Sequence, residues 1–141
     1  MDCPECGAPD TACEARFHEL LAKEFSDPGY GAVHHLTVTA YMLQHSSKLS
    51  REGWLYERDL LRDFLIEKKP PAFVRRQNLG IVDSGKRKFN INSSTGKPLF
   101  DKSTWAKTII DVDTDDANNY CRDITDWAKA VLEEVTLLRP G

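Results

Sequence analysis

Residues 3–25 have the sequence CPECGAPDTACEARFHELLAKEF, which joins a cysteine-rich arm to an amphipathic segment. Thr11 and Glu14 have the spacing of a capping box, in which Thr11 is the N-cap and the Glu14 side chain bonds back to the N-cap backbone. Apolar residues then recur at helical spacing from Phe17 onward. The sequence therefore predicts a first helix over about residues 12–25, preceded by an arm that carries three of the four cysteines.

The arm has the pattern of a metal-binding knuckle. Two residues separate Cys3 from Cys6, a spacing that lets both thiolates turn towards one ion, and Gly7 can adopt the positive φ that directs backbone amides towards sulfur. A redox CxxC pair normally follows a strand and opens a helix, whereas only Met1 and Asp2 precede Cys3 in this sequence. A metal site is favoured, and redox-active or free thiols are the alternative.

A fourth ligand is expected because structural zinc takes four. His18 lies five residues after Cys13 on the same predicted helix, about 140° around its axis, and so faces elsewhere. A turn near Pro28 would make the first two helices antiparallel and place Cys13 opposite about residue 43, which is within one turn of His45. The alternative for His45 is a simple electrostatic role at the end of the second helix.

The sequence thus predicts a closed Cys3His site that holds structural zinc through Cys3, Cys6, Cys13 and His45. A full ligand set leaves no position for a reactive water. His34 is about 16 Å from His45 in a continuous helix, so one ion cannot bind both.

The remaining pattern predicts a mainly α fold, a small helical bundle with the N-terminal zinc knuckle and one short β-hairpin around residues 86–100. Residues 31–45 form a second helix that is apolar over much of its circumference, and Ser50 caps a third helix that ends near Glu67, with Arg58 and Arg62 in solvent. Residues 104–112 are ambiguous between strand and helix. Thr114 caps the clearest helix, which carries an apolar stripe through Leu138.

We interpret residues 1–141 as a single domain. Its segments are the metal-binding arm (1–13), three helices (14–67), a basic irregular or hairpin region (68–113) and the C-terminal helix (114–138).

Charge is distributed unevenly along the chain. The net charge is −6 over residues 1–67, +8 over residues 68–107 and −5 over residues 108–141. The basic region could contact a polyanion or a protein partner, or it could dock against the acidic helices of the same fold. The candidate contact residues are Arg75, Arg76, Lys86, Arg87 and Lys88.

Several classes of protein do not fit the sequence. No apolar run approaches the roughly 18–20 residues that span a bilayer, and the first ten residues lack the profile of a signal peptide, so we expect a cytoplasmic protein without membrane association. Phosphate-binding glycine loops, H-E-x-x-H pairs and G-x-S-x-G elbows are absent from the sequence.

Two classes of function remain. The first is a zinc-stabilised binding or adaptor module, and the absence of catalytic motifs favours it. The second is a metal- or histidine-dependent enzyme of hydrolase type, in which His34 or His35 and the nearby Glu24 act as an acid/base pair or an incompletely ligated zinc activates water. A histidine beside an apolar stripe is also commonly a packed residue, which is the alternative role for His34.

Two motifs together resemble a family of short bacterial proteins of unknown function. They are C-P-x-C-G-A at residues 3–8, followed by Cys13, and H-x-L-T-V-x-A-Y-x-x-Q-H at residues 34–45. The family pattern commonly has aspartate before the alanine and proline after the last histidine, whereas this chain has Thr39 and Ser46. Thr39 removes a carboxylate that a catalytic role would use. The resemblance supports the candidate ligands and implies no activity.

Overall fold

The computed structural model describes residues 2–77 and 91–139, without the side chains of residues 75–77. This part of the chain is mainly helical, as predicted, and its only β pairing is an isolated bridge between Leu49 and Asn92. Its α-helices are α1 (Cys13–Ser26), α2 (Pro28–Gly31), α3 (His34–Gln44), α4 (Arg51–Leu65), α5 (Pro71–Gln77) and α6 (Ala117–Thr136).

Helix α6 packs against both α3 and α4, and these three helices surround most of the apolar core. The stripe predicted for the C-terminal helix is confirmed, because Tyr120, Ile124, Trp127 and Val135 are buried and Leu138 packs against the core. Two polar side chains of the core are hydrogen-bonded: Trp127 Nε1 donates to Gln44 Oε1 at 3.1 Å, and Gln44 Nε2 donates to the Lys107 carbonyl at 2.7 Å. Burial therefore leaves neither the Trp127 indole nor the Gln44 amide without a hydrogen bond.

Helices α1 and α3 run antiparallel, as predicted. Cys13 at the start of α1 lies in one cluster with His45, which follows the end of α3. At the opposite end, the Glu24 carboxylate accepts a hydrogen bond from His34 Nδ1 at 2.8 Å. The two ends of the helix pair thus carry two different polar clusters.

The prediction of one continuous helix over residues 31–45 is wrong. The chain forms the single turn α2, leaves helical geometry at Val33, and begins again at α3. The Asp27 side chain accepts from the Gly29 amide at 2.8 Å and Pro28 occupies the first helical position, so these residues start a turn as well as ending α1.

The capping box predicted for α1 is also wrong. Ala12 precedes the helix without a side-chain cap, and the Thr11 hydroxyl donates to the Asp10 carbonyl at 2.6 Å. Asp10 and Thr11 have φ values of 54° and 51°, a left-handed conformation that costs about 1–2 kcal/mol per residue. This sharp turn places Cys13 in the cysteine cluster. In the same conformation the Thr11 hydroxyl does not cap the helix.

The other two predicted caps have different outcomes. Ser50 caps α4 as predicted, since its Oγ accepts from the Gly53 amide at 2.9 Å. Helix α6 is capped by Asp116 and not by Thr114, because the Asp116 carboxylate accepts from the amides of Asn118 and Asn119 at 2.8 and 3.0 Å. A carboxylate at this position is also favoured by the helix dipole.

The region between α4 and α6 is less regular. Sequence patterning missed α5, where Pro71 starts the helix and Val74 is buried. Residues 104–112, which were ambiguous, contain one 3-10 turn, Ile109–Asp111. The hairpin predicted around residues 86–100 lies partly outside the described residues. In the described part, the Ile91 carbonyl accepts from Ser50 and the Ser93 amide donates to Lys48, so residues 91–93 pair with the segment before α4.

Candidate metal centre

Four potential metal ligands converge at the N-terminal end of α1. One ligand atom from each of Cys3, Cys6, Cys13 and His45 lies within 4.8 Å of the other three, and all four residues are buried. The cysteines are not joined by disulfides. Because zinc–sulfur bonds of 2.3 Å put tetrahedral sulfurs about 3.8 Å apart, shifts below about 1 Å would bring these atoms to coordination distance.

The His45 imidazole is oriented by the end of α3. Its Nδ1 lies 2.7 Å from the Tyr41 carbonyl, to which a nitrogen must donate, so the proton is on Nδ1 and the lone pair is on Nε2. Nε2 is buried and has no hydrogen-bond partner among residues 2–77 and 91–139. The ring also stacks on Tyr41, with centroids 4.1 Å apart, and Tyr41 in turn stacks on Phe17. A fixed tautomer with an unpartnered buried nitrogen is the state in which histidine binds metals.

Burial lowers the pKa of His45 and thereby favours its neutral form. The neutral ring is the form that offers a lone pair to a metal ion.

The knuckle backbone is arranged around its sulfurs. The Gly7 amide donates to the Cys3 carbonyl at 2.9 Å, and the Cys3 amide donates to Ala8 at the same distance. Gly7 has a φ of 80°, and a Cβ there would lie 2.5 Å from the Ser103 carbonyl oxygen. Glycine is required here for both its conformation and its lack of a side chain.

The three thiols have different protonation tendencies. Burial would raise the pKa of Cys3, but the backbone amides of Cys6 and Glu5 donate to its sulfur and leave its pKa below the ordinary value. Burial raises the pKa of Cys6, and burial likewise raises that of Cys13. A cation in the cluster would stabilise all three thiolates.

Glu5, inside the knuckle, attaches the arm to distant parts of the chain. Its carboxylate accepts from the Ser47 amide at 2.8 Å and from the Ser47 hydroxyl at 2.7 Å, and its carbonyl accepts from Trp105 Nε1 at 2.8 Å. Sequence reasoning missed these supporting residues. They are 42 and 100 positions from Glu5, and neither position carries a local pattern that indicates the contact.

The other histidines lie outside this cluster. His18 is at the surface, 3.8 Å from the Glu14 carboxylate, with 68% of its side chain exposed. His34 contacts Glu24, as its predicted position beside that residue requires, and its ring is 5.2 Å from that of Phe25. His35 packs edge-on against Phe64, with ring centroids 4.7 Å apart, so it does not share the Glu24 contact.

Glu24 forms the second buried polar cluster. Besides His34, its carboxylate accepts from the hydroxyls of Thr37 and Tyr120, each at 2.5 Å. Three donors from two helices therefore fix this carboxylate. Cys121 lies outside both clusters; it is partly buried, and its thiol donates to the Gly29 carbonyl at 3.2 Å.

The candidate polyanion-binding residues have no described side chains. Lys86, Arg87 and Lys88 lie outside the described residues, as do the side chains of Arg75 and Arg76.

Among residues 2–77 and 91–139, no helix has the length and hydropathy needed to cross a bilayer.

These features define a class of protein, a helical chain whose N-terminal cysteines and one histidine form a buried group able to hold a metal ion. The chain belongs to the family described as Family of unknown function (DUF5946), whose model matches residues 1–136. The resemblance to a family of unknown function is thereby confirmed. No curated protein and no solved structure matches the chain.

Proposed function

We propose that the chain is a binding or adaptor module whose N-terminal arm is held by one structural zinc ion. The ligands are the sulfurs of the three arm cysteines and Nε2 of His45. The unpartnered, buried Nε2 beside three thiols is the observation that carries the proposal, because an isolated buried acceptor is costly without a partner.

The donor set favours zinc. Three thiolates and one imidazole match the ligand preference and the tetrahedral number of structural zinc sites. The bound ion would neutralise thiolate charge and join the arm to α1 and the end of α3. With four protein ligands there is no position for water, so this centre stabilises the fold and performs no chemistry.

The test is metal content measured on variants. We expect the purified chain to hold one zinc per molecule, and His45→Ala to reduce zinc occupancy while His18→Ala retains it. His18 is the matched control because it is exposed and outside the cluster. Elemental analysis gives the stoichiometry, and equal occupancy in both variants would exclude His45 as the fourth ligand.

A hydrolase-type enzyme is the second candidate, favoured by the Glu24–His34 pair. Nδ1 of His34 donates to a buried carboxylate, which leaves Nε2 as the acceptor, and 39% of the His34 side chain is exposed. An oriented imidazole of this kind can act as a general base. His35 does not belong to this arrangement, because it packs against Phe64.

An activated ester such as p-nitrophenyl acetate separates the two candidates. The binding-module proposal expects equal hydrolysis rates for the wild-type chain, His34→Gln and His18→Gln. A loss of hydrolysis confined to His34→Gln, with the helical circular dichroism retained, would favour the enzyme.

A further inference from the structure

A basic pocket lies between α4 and the C-terminal end of α6, with a volume of about 440 Å³. The described residues that line it are Arg51, Leu55, Arg58, Arg62, Thr136 and Arg139. None of these residues belongs to the metal cluster or to the Glu24 cluster. The pocket is thus a separate feature of the molecule, and it combines four cationic side chains in one cavity.

The sequence of α4 brings three of these arginines together. Positions 51, 55, 58 and 62 are four, three and four residues apart, so at 100° per residue they fall within about 60° of arc on one helix face. Arg51 and Arg62 are about 16 Å apart along the axis at 1.5 Å per residue. The pocket therefore follows the helix as an elongated basic surface.

In the described part of the chain, one close ion pair involves these arginines. Arg58 is 3.6 Å from Asp59, and within the described ranges no ion pair joins Arg51, Arg62 or Arg139 to an acidic side chain. Uncompensated guanidinium groups on one helix face repel one another. An anion bound among them would remove that repulsion and gain several charge-assisted hydrogen bonds.

Two of the arginines are positioned by contacts with other parts of the protein. The Arg58 guanidinium lies over the Trp54 ring at 5.8 Å, and its Nε is buried with no hydrogen-bond partner in the described part of the chain. Arg139 Nη1 donates to the carbonyls of Thr136 and Leu138 at 3.1 and 2.9 Å. Both side chains therefore have less freedom to lose when a ligand binds.

Guanidinium groups match phosphate because their N–H donors form paired bonds with its oxygens. One phosphate is too small to contact arginines spread over about 16 Å of helix, whereas a chain of phosphates can contact several of them. The cavity has the volume of a small-molecule site, and none of the described residues that line it is an aromatic on which the bases of a single strand could stack. We propose that this pocket binds a small anion with two or three linked phosphates, such as inorganic tripolyphosphate or a nucleoside triphosphate.

Calorimetric titration of the zinc-loaded full chain tests this assignment. The probes are tripolyphosphate, ATP, inorganic phosphate and a ten-nucleotide single-stranded DNA. We expect binding of tripolyphosphate and ATP that weakens with added salt, and much weaker binding of inorganic phosphate. ATP binding tighter than tripolyphosphate binding assigns a nucleotide, and the reverse order assigns an inorganic polyphosphate. No binding of either, or tightest binding of the oligonucleotide, would overturn the proposal.

Variants locate the binding to the pocket. Arg51 and Arg62 are exposed, so the double variant R51Q/R62Q should retain the fold while weakening tripolyphosphate binding at least about tenfold. Arg122→Gln is the matched control, because Arg122 lies on α6 outside the pocket. This variant should bind tripolyphosphate as tightly as the wild type does. Arg58→Gln tests a third arginine of the pocket and should also weaken tripolyphosphate binding. Unchanged affinity in the double variant would place any phosphate binding elsewhere.

Discussion

At the scale of single residues, the His45 imidazole derives its ligand character from one hydrogen bond. The Tyr41 carbonyl accepts a hydrogen bond from Nδ1, and Nε2 then has no partner among the residues that the structure describes. His34 has the same kind of arrangement with a carboxylate in place of the carbonyl. The two histidines differ in what lies beyond the free nitrogen, since only His45 lies among three thiols.

His35 gives a pH-dependent prediction at this scale. Burial lowers its pKa, with a smaller effect from the neighbouring His34 charge. Below a pH of about 6.5, the unfolded chain binds a proton that the folded chain resists, so this residue lowers the free energy of unfolding as the pH falls. Above that pH, both states are neutral and the effect disappears.

We therefore expect His35→Gln to be more stable relative to wild type at pH 5.5 than at pH 7.5. Urea unfolding with excess zinc at both pH values measures the difference, and His18→Gln controls for the loss of an exposed histidine. An identical difference between His35→Gln and wild type at the two pH values would contradict this account.

At the scale of elements, α1 and α3 are joined at both ends by polar groups. The cysteine cluster joins the start of α1 to the end of α3, and Glu24 joins the end of α1 to the start of α3 and to Tyr120 of α6. Hydrogen bonds of a buried carboxylate fix the relative position of three helices more strictly than apolar contact does. Glu24 therefore connects this helix pair to α6 through hydrogen bonds.

The start of α6 offers a direct test of its cap. Asp116 accepts two amide hydrogen bonds there, whereas the Thr114 carbonyl accepts from the Tyr30 hydroxyl and Thr114 caps nothing. Asp116→Ala should lower the free energy of unfolding by about 1 kcal/mol, and Thr114→Ala should have a much smaller effect. Thermal or urea unfolding compares the two variants. An equal loss in both would show that the helix begins earlier than Asp116.

At the scale of the whole molecule, the sequence predicted the features that have a local period or spacing. The apolar stripe of α6, the antiparallel α1 and α3, and the position of His45 near Cys13 follow from helix geometry applied to a short turn. The break at Val33 and the left-handed turn at Asp10 and Thr11 were missed. Both depend on tertiary contacts with distant parts of the chain, and local sequence patterns do not predict such contacts.

The contacts missed at the candidate site are long-range. Ser47 and Trp105 hold Glu5 through ordinary hydrogen bonds, and both residue types occur throughout proteins without such a role. The arginine pocket was missed for a different reason. Arg58 and Arg62 were expected in solvent, and only the packing of α4 against α6 places Thr136 and Arg139 beside them.

Removal of the metal should divide the molecule into a part that loosens and a part that persists. The arm has little secondary structure and relies on the cluster and on Glu5, whereas α3, α4 and α6 bury their own apolar faces. Because metal-binding free energy is folding free energy for the segment that supplies the ligands, a chelator should destabilise residues 3–13. Amide hydrogen exchange with and without chelator should show faster exchange in the arm and unchanged protection across Tyr120–Val135. Complete unfolding on chelation would make the ion essential to the core, and unchanged exchange in the arm would mean that the cluster stabilises nothing.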